Sequence, residues 1–285
     1  MVNKYLLKGF SFILLLVLSG ISTYGQETEQ TPVEDVFACT MLIDNQSSST
    51  IEKGSLEFII HHRFGNFENK AKDLMGIYAP SNIRIGFNYG ITQKLMVGVG
   101  TEKNNKLNDI LWKYAILTQT EEGKMPVSVT YYGNMAIDAR DEEIFGADYK
   151  FTNRLSYFHQ LIISRKFNDK LSVLAAGSFS HINSVDSVWH NDQIGVTIAG
   201  RYKFYNEIAF MFEYDQPFSY KTVRYFQNEP KPNLALGVEF ATPTHSFQIT
   251  CSPFDKIVPQ KNFTHNLNDY ADKGMRLGFN ITARF

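Results

Sequence analysis

Along the chain, apolar and polar positions alternate over short stretches. Ile83, Ile85, Phe87 and Tyr89 are apolar, while Arg84, Gly86 and Asn88 between them are not. The same period of two returns over 194–204, 208–215, 234–240 and 275–285. A period of two puts successive side chains on opposite faces of an extended strand, whereas a helix repeats every three to four residues. The same test along the whole chain predicts twelve strands, at 55–64, 82–89, 95–101, 110–118, 126–136, 154–167, 171–181, 194–204, 208–216, 233–240, 246–252 and 274–285. The sixth and seventh alternate least cleanly, because Tyr157, Phe158, Leu161, Ile162 and Ile163 crowd together.

The two faces differ in charge. In the five clearest segments, the 24 positions of the apolar row carry no charged residue. The alternate row holds Arg84, Arg201, Lys203, Glu213, Asp215, Glu239, Arg276 and Arg284, and Glu57 continues it on the first strand. A soluble sandwich with an apolar core also gives this contrast, so aromatic placement and chain punctuation must arbitrate. The apolar rows often end in aromatics (Tyr89, Tyr202, Phe204, Tyr214, Phe240, Phe285), where girdles at a membrane interface belong. Short turns at 90–94, 119–125, 168–170, 205–207 and 241–245 interleave with longer loops at 65–81, 102–109, 137–153, 182–193, 217–232 and 253–273. Outer-membrane barrels have that rhythm, with short turns on the periplasmic side. The expected fold class is therefore all-β: a transmembrane, antiparallel, up-and-down β-barrel of about twelve strands. The nine charged residues should face its lumen, as selectivity or binding candidates. The terminal Phe285 after an alternating stretch reads as an assembly signal for barrel-assembly machinery.

Composition narrows the class. The chain has 285 residues, 28 Lys plus Arg against 29 Asp plus Glu, 14% aromatics and two cysteines. This balance carries no basic footprint for nucleic acid, and two cysteines make neither a disulfide-dense miniprotein nor an all-cysteine zinc site. The mean hydropathy of -0.22 is too low for a helical membrane bundle. Lys4 and Lys8 followed by the apolar run Phe10 to Leu18 read as a cleavable signal peptide over 1–25, cut after Gly25. The expected order is signal peptide 1–25, a periplasmic N-terminal segment or lumen plug over 26–54, and an outer-membrane barrel over 55–285. The location is then the outer membrane of a Gram-negative bacterium, with outer-membrane lipid as the surrounding partner.

Leu56-Glu57-Phe58-Ile59-Ile60-His61-His62-Arg63-Phe64-Gly65, then 83–92, Val97-Gly98-Val99-Gly100 and Trp112-Lys113-Tyr114 resemble a Bacteroidetes family of outer-membrane barrels, domain of unknown function 5777. The resemblance is strongest over about 40–135. It implies a barrel and a location, and it brings no catalytic residues.

Candidate chemistry is sparse. The charged inward rows could form a selectivity zone for a small polar or ionic solute, or could neutralise one another and fill the interior. The expected function is a passive channel or binder; the alternative is a non-conducting structural or adaptor barrel that binds a partner through its loops or residues 26–54. No enzyme activity, metal or cofactor is expected. His61 and His62 are strand neighbours that point opposite ways and share a metal poorly. His181, His190 and Asp192 flank one loop with zinc-compatible ligands, and His159 is the one histidine to weigh as a lipase base. Asp138 to Glu143 is an acidic loop run without calcium-loop spacing. In-strand glycines Gly86, Gly98, Gly100, Gly195 and Gly278 should relieve crowding on inward positions. Cys39 and Cys251 are not expected to pair.

Overall fold

A computed structural model describes residues 31–34, 36–68, 70–218 and 228–285. The signal peptide expected over 1–25 lies outside the described residues. Alternation gives β1 (Leu56–Asn66), β2 (Asn82–Gly90), β3 (Leu95–Glu102), β4 (Leu107–Leu117), β5 (Ser128–Asp138) and β6 (Leu155–Lys166). It continues with β7 (Leu171–Ile182), β8 (Asp192–Tyr205), β9 (Ile208–Phe218), β10 (Asn233–Ala241), β11 (His245–Ser252) and β12 (Arg276–Arg284). Each strand pairs with its neighbours in sequence, and β1 closes on β12 in antiparallel register, Glu57 opposite Arg284 and Phe58 opposite Ala283. Closure matters because an unpaired edge in hydrocarbon would leave a row of amides without partners.

Burial decides between sandwich and barrel. Phe87, Val99, Ile110, Phe210, Val238 and Ile249 are exposed, while Glu57, Arg84, Asp109, Lys113, Glu213, Asp215 and Glu239 are buried. A water-soluble protein distributes these residue types the other way round. The apolar outer surface and charged interior fit a barrel surrounded by lipid. Crowding in β6 resolves the same way. Tyr157, Leu161 and Ile163 point outward, while Phe158 and Ile162 are buried inside, against apolar material in the lumen.

Connection lengths depart from the expected rhythm in two places. The loop expected at 102–109 is only the four residues 103–106, because β3 runs to Glu102 and β4 begins at Leu107. Asn105 and Lys106 take positive φ, 60° and 48°, which closes the turn tightly; Asn tolerates that region better than most residues. The turn expected at 119–125 spans 118–127. Its extra length receives the N-terminal segment: Val33 N–H donates to the Gln119 carbonyl, and Pro32 bridges Thr120.

The lumen is filled from both ends. At the short-turn end, residues 31–34 and 36–51 enter, double back at Leu42 to Asn45 and return. Within this hairpin Leu42 N–H donates to Asn45 O, Ser47 N–H to Thr40 O, and Met41 bridges Gln46. From the other end, the β11–β12 connection folds inward and carries α1 (Pro259–His265), with proline in its first turn. Val36, Phe37, Leu42 and Ile43 of the hairpin join Met96, Tyr132, Phe158, Met211 and Phe263 in one buried apolar cluster. Burying each such side chain stabilises by about 1.5–3 kcal/mol, so the hairpin is firmly seated.

Candidate functional site in the barrel lumen

The charged inward residues sort into wall pairs and plug anchors. Arg84 donates from Nε and Nη2 to Asp109 at 2.8 and 2.7 Å, a bidentate pair. Gly86 and Gly100 make room for it, since a Cβ on Gly100 would stand 2.2 Å from the Arg84 guanidinium. Arg201 Nε pairs with Glu239 at 2.5 Å, and Arg284 Nε with Glu57 at 2.9 Å. These three pairs join wall to wall: Glu57 and Arg284 on the neighbouring strands β1 and β12, Arg84 and Asp109 across β3, and Arg201 and Glu239 across β9. Glu213 and Asp215 instead hold the hairpin tip. Glu213 accepts the backbone N–H groups of Ile43, Asp44 and Asn45 at 3.2–3.3 Å, and Asn45 Nδ2 bridges Glu213 and Asp215 at 2.9 and 2.8 Å. Arg276 is buried near the long-loop end, and Lys203 stands half-buried at the short-turn end. The nine residues therefore do not form one ring.

Four inward residues that carry much of the structure were not singled out from the sequence. Arg63 donates to Asp44 Oδ1 at 2.9 Å, to the Ile43 carbonyl at 3.0 Å and to Asn280 at 2.8 Å. Lys113, fully buried, donates to the carbonyls of Thr40 at 2.7 Å and Ser49 at 3.0 Å, one on each leg of the hairpin. Asp109 is the partner of Arg84. Glu102 accepts the N–H groups of Ile257 and Val258 at 3.2 and 2.7 Å and so holds the inward-folded loop. The signal was available: continuing the alternation of β1 and β4 puts Arg63, Asp109 and Lys113 on the inner row.

Between the hairpin tip and α1 the space left is a cavity of about 20 Å³, lined by Asp44, His61, Arg84, Tyr132, Gln160 and Pro259 among others. That is room for about one water molecule. A larger cavity of about 590 Å³ opens at the short-turn end. On the far side Phe263 of α1 packs on Phe158 with ring centroids 5.4 Å apart, over Gly195, where a Cβ would meet its ring at 2.4 Å. His265 stacks on Trp189 at 4.3 Å. Burial, then the nearby Lys261 and Lys256, pull its pKa down to about 3, and burial also lowers that of Lys261.

The remaining candidates have local partners. His61 points inward, its Nε2 2.6 Å from Met41 Sδ, while His62 points outward and stacks on Phe279 at 4.8 Å. His181 meets Asp192 at 2.6 Å, and His190 lies 3.5 Å from Glu229. Among the described residues no three His, Cys, Asp or Glu side chains converge as a metal site. His159 lies on the outer face, its Nδ1 2.6 Å from the Tyr131 hydroxyl. In the acidic run, Asp138 pairs with Arg140 at 2.6 Å. Cys39 and Cys251 are both free thiols; Cys39 is buried within the hairpin, and that burial pushes its thiol well above the ordinary range.

Among solved structures, the fold resembles the COG4313 outer membrane channel from Pseudomonas putida F1. The TM-score is 0.53 at 9% identity, with 86% of this chain and all (100%) of that one covered. Weaker likenesses include the KdgM porin (TM-score 0.46, 8% identity, covering 81% of this chain and 98% of that one) and the outer membrane channel DcaP of Acinetobacter baumannii (0.36, 14%, 80% and 72%). At such identities the first likeness shows the fold alone. No curated relative matches the chain. The family model described as "Membrane bound beta barrel domain (DUF5777)" matches residues 37–285, so the hairpin as well as the wall is included, and the chain belongs to that family.

Proposed function

We propose that this barrel sits in the outer membrane of a Gram-negative bacterium, Bacteroidetes by its sequence resemblance, and passes a small polar or ionic solute when its N-terminal hairpin leaves the lumen. The observation that carries this reading is a charged wall that pairs with itself. With the hairpin gone, Arg84–Asp109, Arg201–Glu239 and Glu57–Arg284 remain neutralised within the wall. Water and ions can solvate such a wall, whereas an apolar one would stay dry. The hairpin itself is a chain-terminal strap held by noncovalent contacts. Lipid covers the outer apolar rows, export follows a cleaved signal peptide, and the C-terminal strand with Phe285 engages the assembly machinery.

Cys39 supplies the test. The Ser246 hydroxyl is within hydrogen-bond reach of its thiol, so Ser246→Cys in a Cys251→Ser background puts a second thiol beside it. In planar bilayers the oxidised variant should be silent, the reduced one should flicker, and a chain lacking residues 31–50 should conduct steadily. A correctly folded deletion variant that carries no current would remove the channel reading. It would favour the second one, a non-conducting structural or adaptor barrel. The observation behind that alternative is the deep burial of Phe37, Leu42 and Ile43, at no more than 2% exposure each.

A further inference from the structure

The cavity at the short-turn end lies below the hairpin, between its legs at Ala38, Thr50 and Ile51 and the inner wall. Its volume of about 590 Å³ suits a small organic solute. Its charges are layered. The bases Lys166, Arg201, Lys203 and Arg284 are half-buried, whereas the acids that also line it, Glu52, Asp169 and Glu207, are exposed at the rim. Two of the four bases are already matched to wall carboxylates, Arg201 to Glu239 and Arg284 to Glu57. The other two meet no carboxylate among the described residues: Lys166 Nζ donates only to the Glu34 carbonyl, at 3.0 Å. Lys170, a fifth base, lies beside Lys203, whose N–H donates to the Lys170 carbonyl at 2.7 Å.

A half-desolvated ammonium without a counter-charge is costly to keep, and an incoming anion recovers that cost. We infer that this basin binds a small soluble anion carrying two or more carboxylate or phosphate charges. Two unmatched ammonium groups lining one cavity ask for more than one negative charge. The hydroxyls of Ser172 on the wall and Thr244 in the β10–β11 turn also line the cavity and can donate to its oxygens. Enclosure by the strand ends and the hairpin legs favours a free solute over a lipid headgroup. The inference deepens the channel reading by naming a solute class. Binding is measured without current, so each can fail alone.

The experiment is calorimetric titration of citrate, and separately of inorganic phosphate, into the full chain held in phosphatidylcholine nanodiscs. We expect saturable binding of both, tighter for citrate, that weakens as salt rises because the interaction is partly screened. Lys166→Gln with Lys203→Gln should weaken it at least tenfold, Lys166→Arg with Lys203→Arg should restore most of it, and Lys273→Gln, in the connection at the opposite end, should leave it unchanged. Absence of binding by either anion, or equal affinity in the double Gln variant, overturns the proposal. So does loss of citrate binding when phosphatidylglycerol is added to the nanodisc, which would assign the basin to lipid headgroups.

Discussion

Removing the Arg63 guanidinium should loosen the hairpin by an amount the structure allows to be worked out. Arg63 meets Asp44 at 2.9 Å, and both side chains are almost fully buried, 1% and 2% exposed. Asp44 also shares the tip of the hairpin with the carboxylates of Glu213 and Asp215. Arg63→Met keeps most of the aliphatic stem and strands Asp44 without its counter-charge. Breaking a buried pair from one side costs about 3–5 kcal/mol in a dry interior. Asp44 keeps the Ser252 hydroxyl at 2.7 Å, and the lumen is polar, so about 2–3 kcal/mol is the appropriate share. That raises the population of the withdrawn hairpin about 30- to 150-fold. The Cys39 thiol reports it directly, since it is buried when the hairpin is seated and reactive only when it leaves. In a Cys251→Ser background, labelling by a charged, membrane-impermeant thiol reagent should speed up by that factor in Arg63→Met. Arg140→Gln, which breaks a pair in the β5–β6 loop, should change nothing. A labelling rate within twofold of the parent, in a barrel with native resistance to detergent unfolding, would refute the assignment of Arg63 as the anchor of the plug.

Three further outcomes follow from the packing. Phe263→Ala empties a site only 1% exposed and should weaken seating of α1 by about 3–4 kcal/mol, read as faster proteolysis of the β11–β12 connection, while Gly195→Val should do the same by filling the space the ring occupies. With its pKa held at about 3 in the seated state and near 6.5 when released, His265 is neutral when buried, so seating is pH-independent above about 6.5 and weakens as pH falls from there toward 3, by at most about 1.4 kcal/mol per pH unit. Trp189 emission in a Trp112→Phe background should follow that fall, and His265→Asn should flatten it. Ile249→Arg, at an outward position 69% exposed in the middle of β11, should cost about 2–4 kcal/mol in urea unfolding from lipid vesicles; a neutral effect would contradict lipid contact there.

Strand number and the inward row were legible because each follows from local alternation, and strand order because short connections join sequential strands. A side chain at one position fixes the facing of its neighbours two residues away, whatever the rest of the chain does. The irregular stretch in β6 broke the pattern for a tertiary reason: Phe158 and Ile162 face a lumen that is partly apolar because Phe263 and the hairpin occupy it. Turn lengths were read less well. At 118–127 the chain keeps extra residues to receive the N-terminal segment, and no local signal carries that.

Alternation, girdle aromatics and charge balance along the sequence determine a closed sheet with a greasy outside and an ionised inside. Which ion meets which, and whether the inside is empty, was decided only by the fold. Glu213 takes the amides of Ile43 to Asn45 across a separation of about 170 residues, and Glu102 takes those of Ile257 and Val258 across more than 150. Such contacts have no periodicity to announce them. They form because charged groups shut inside a barrel must find partners, and the nearest donors come from chain segments that the sheet brings into its interior.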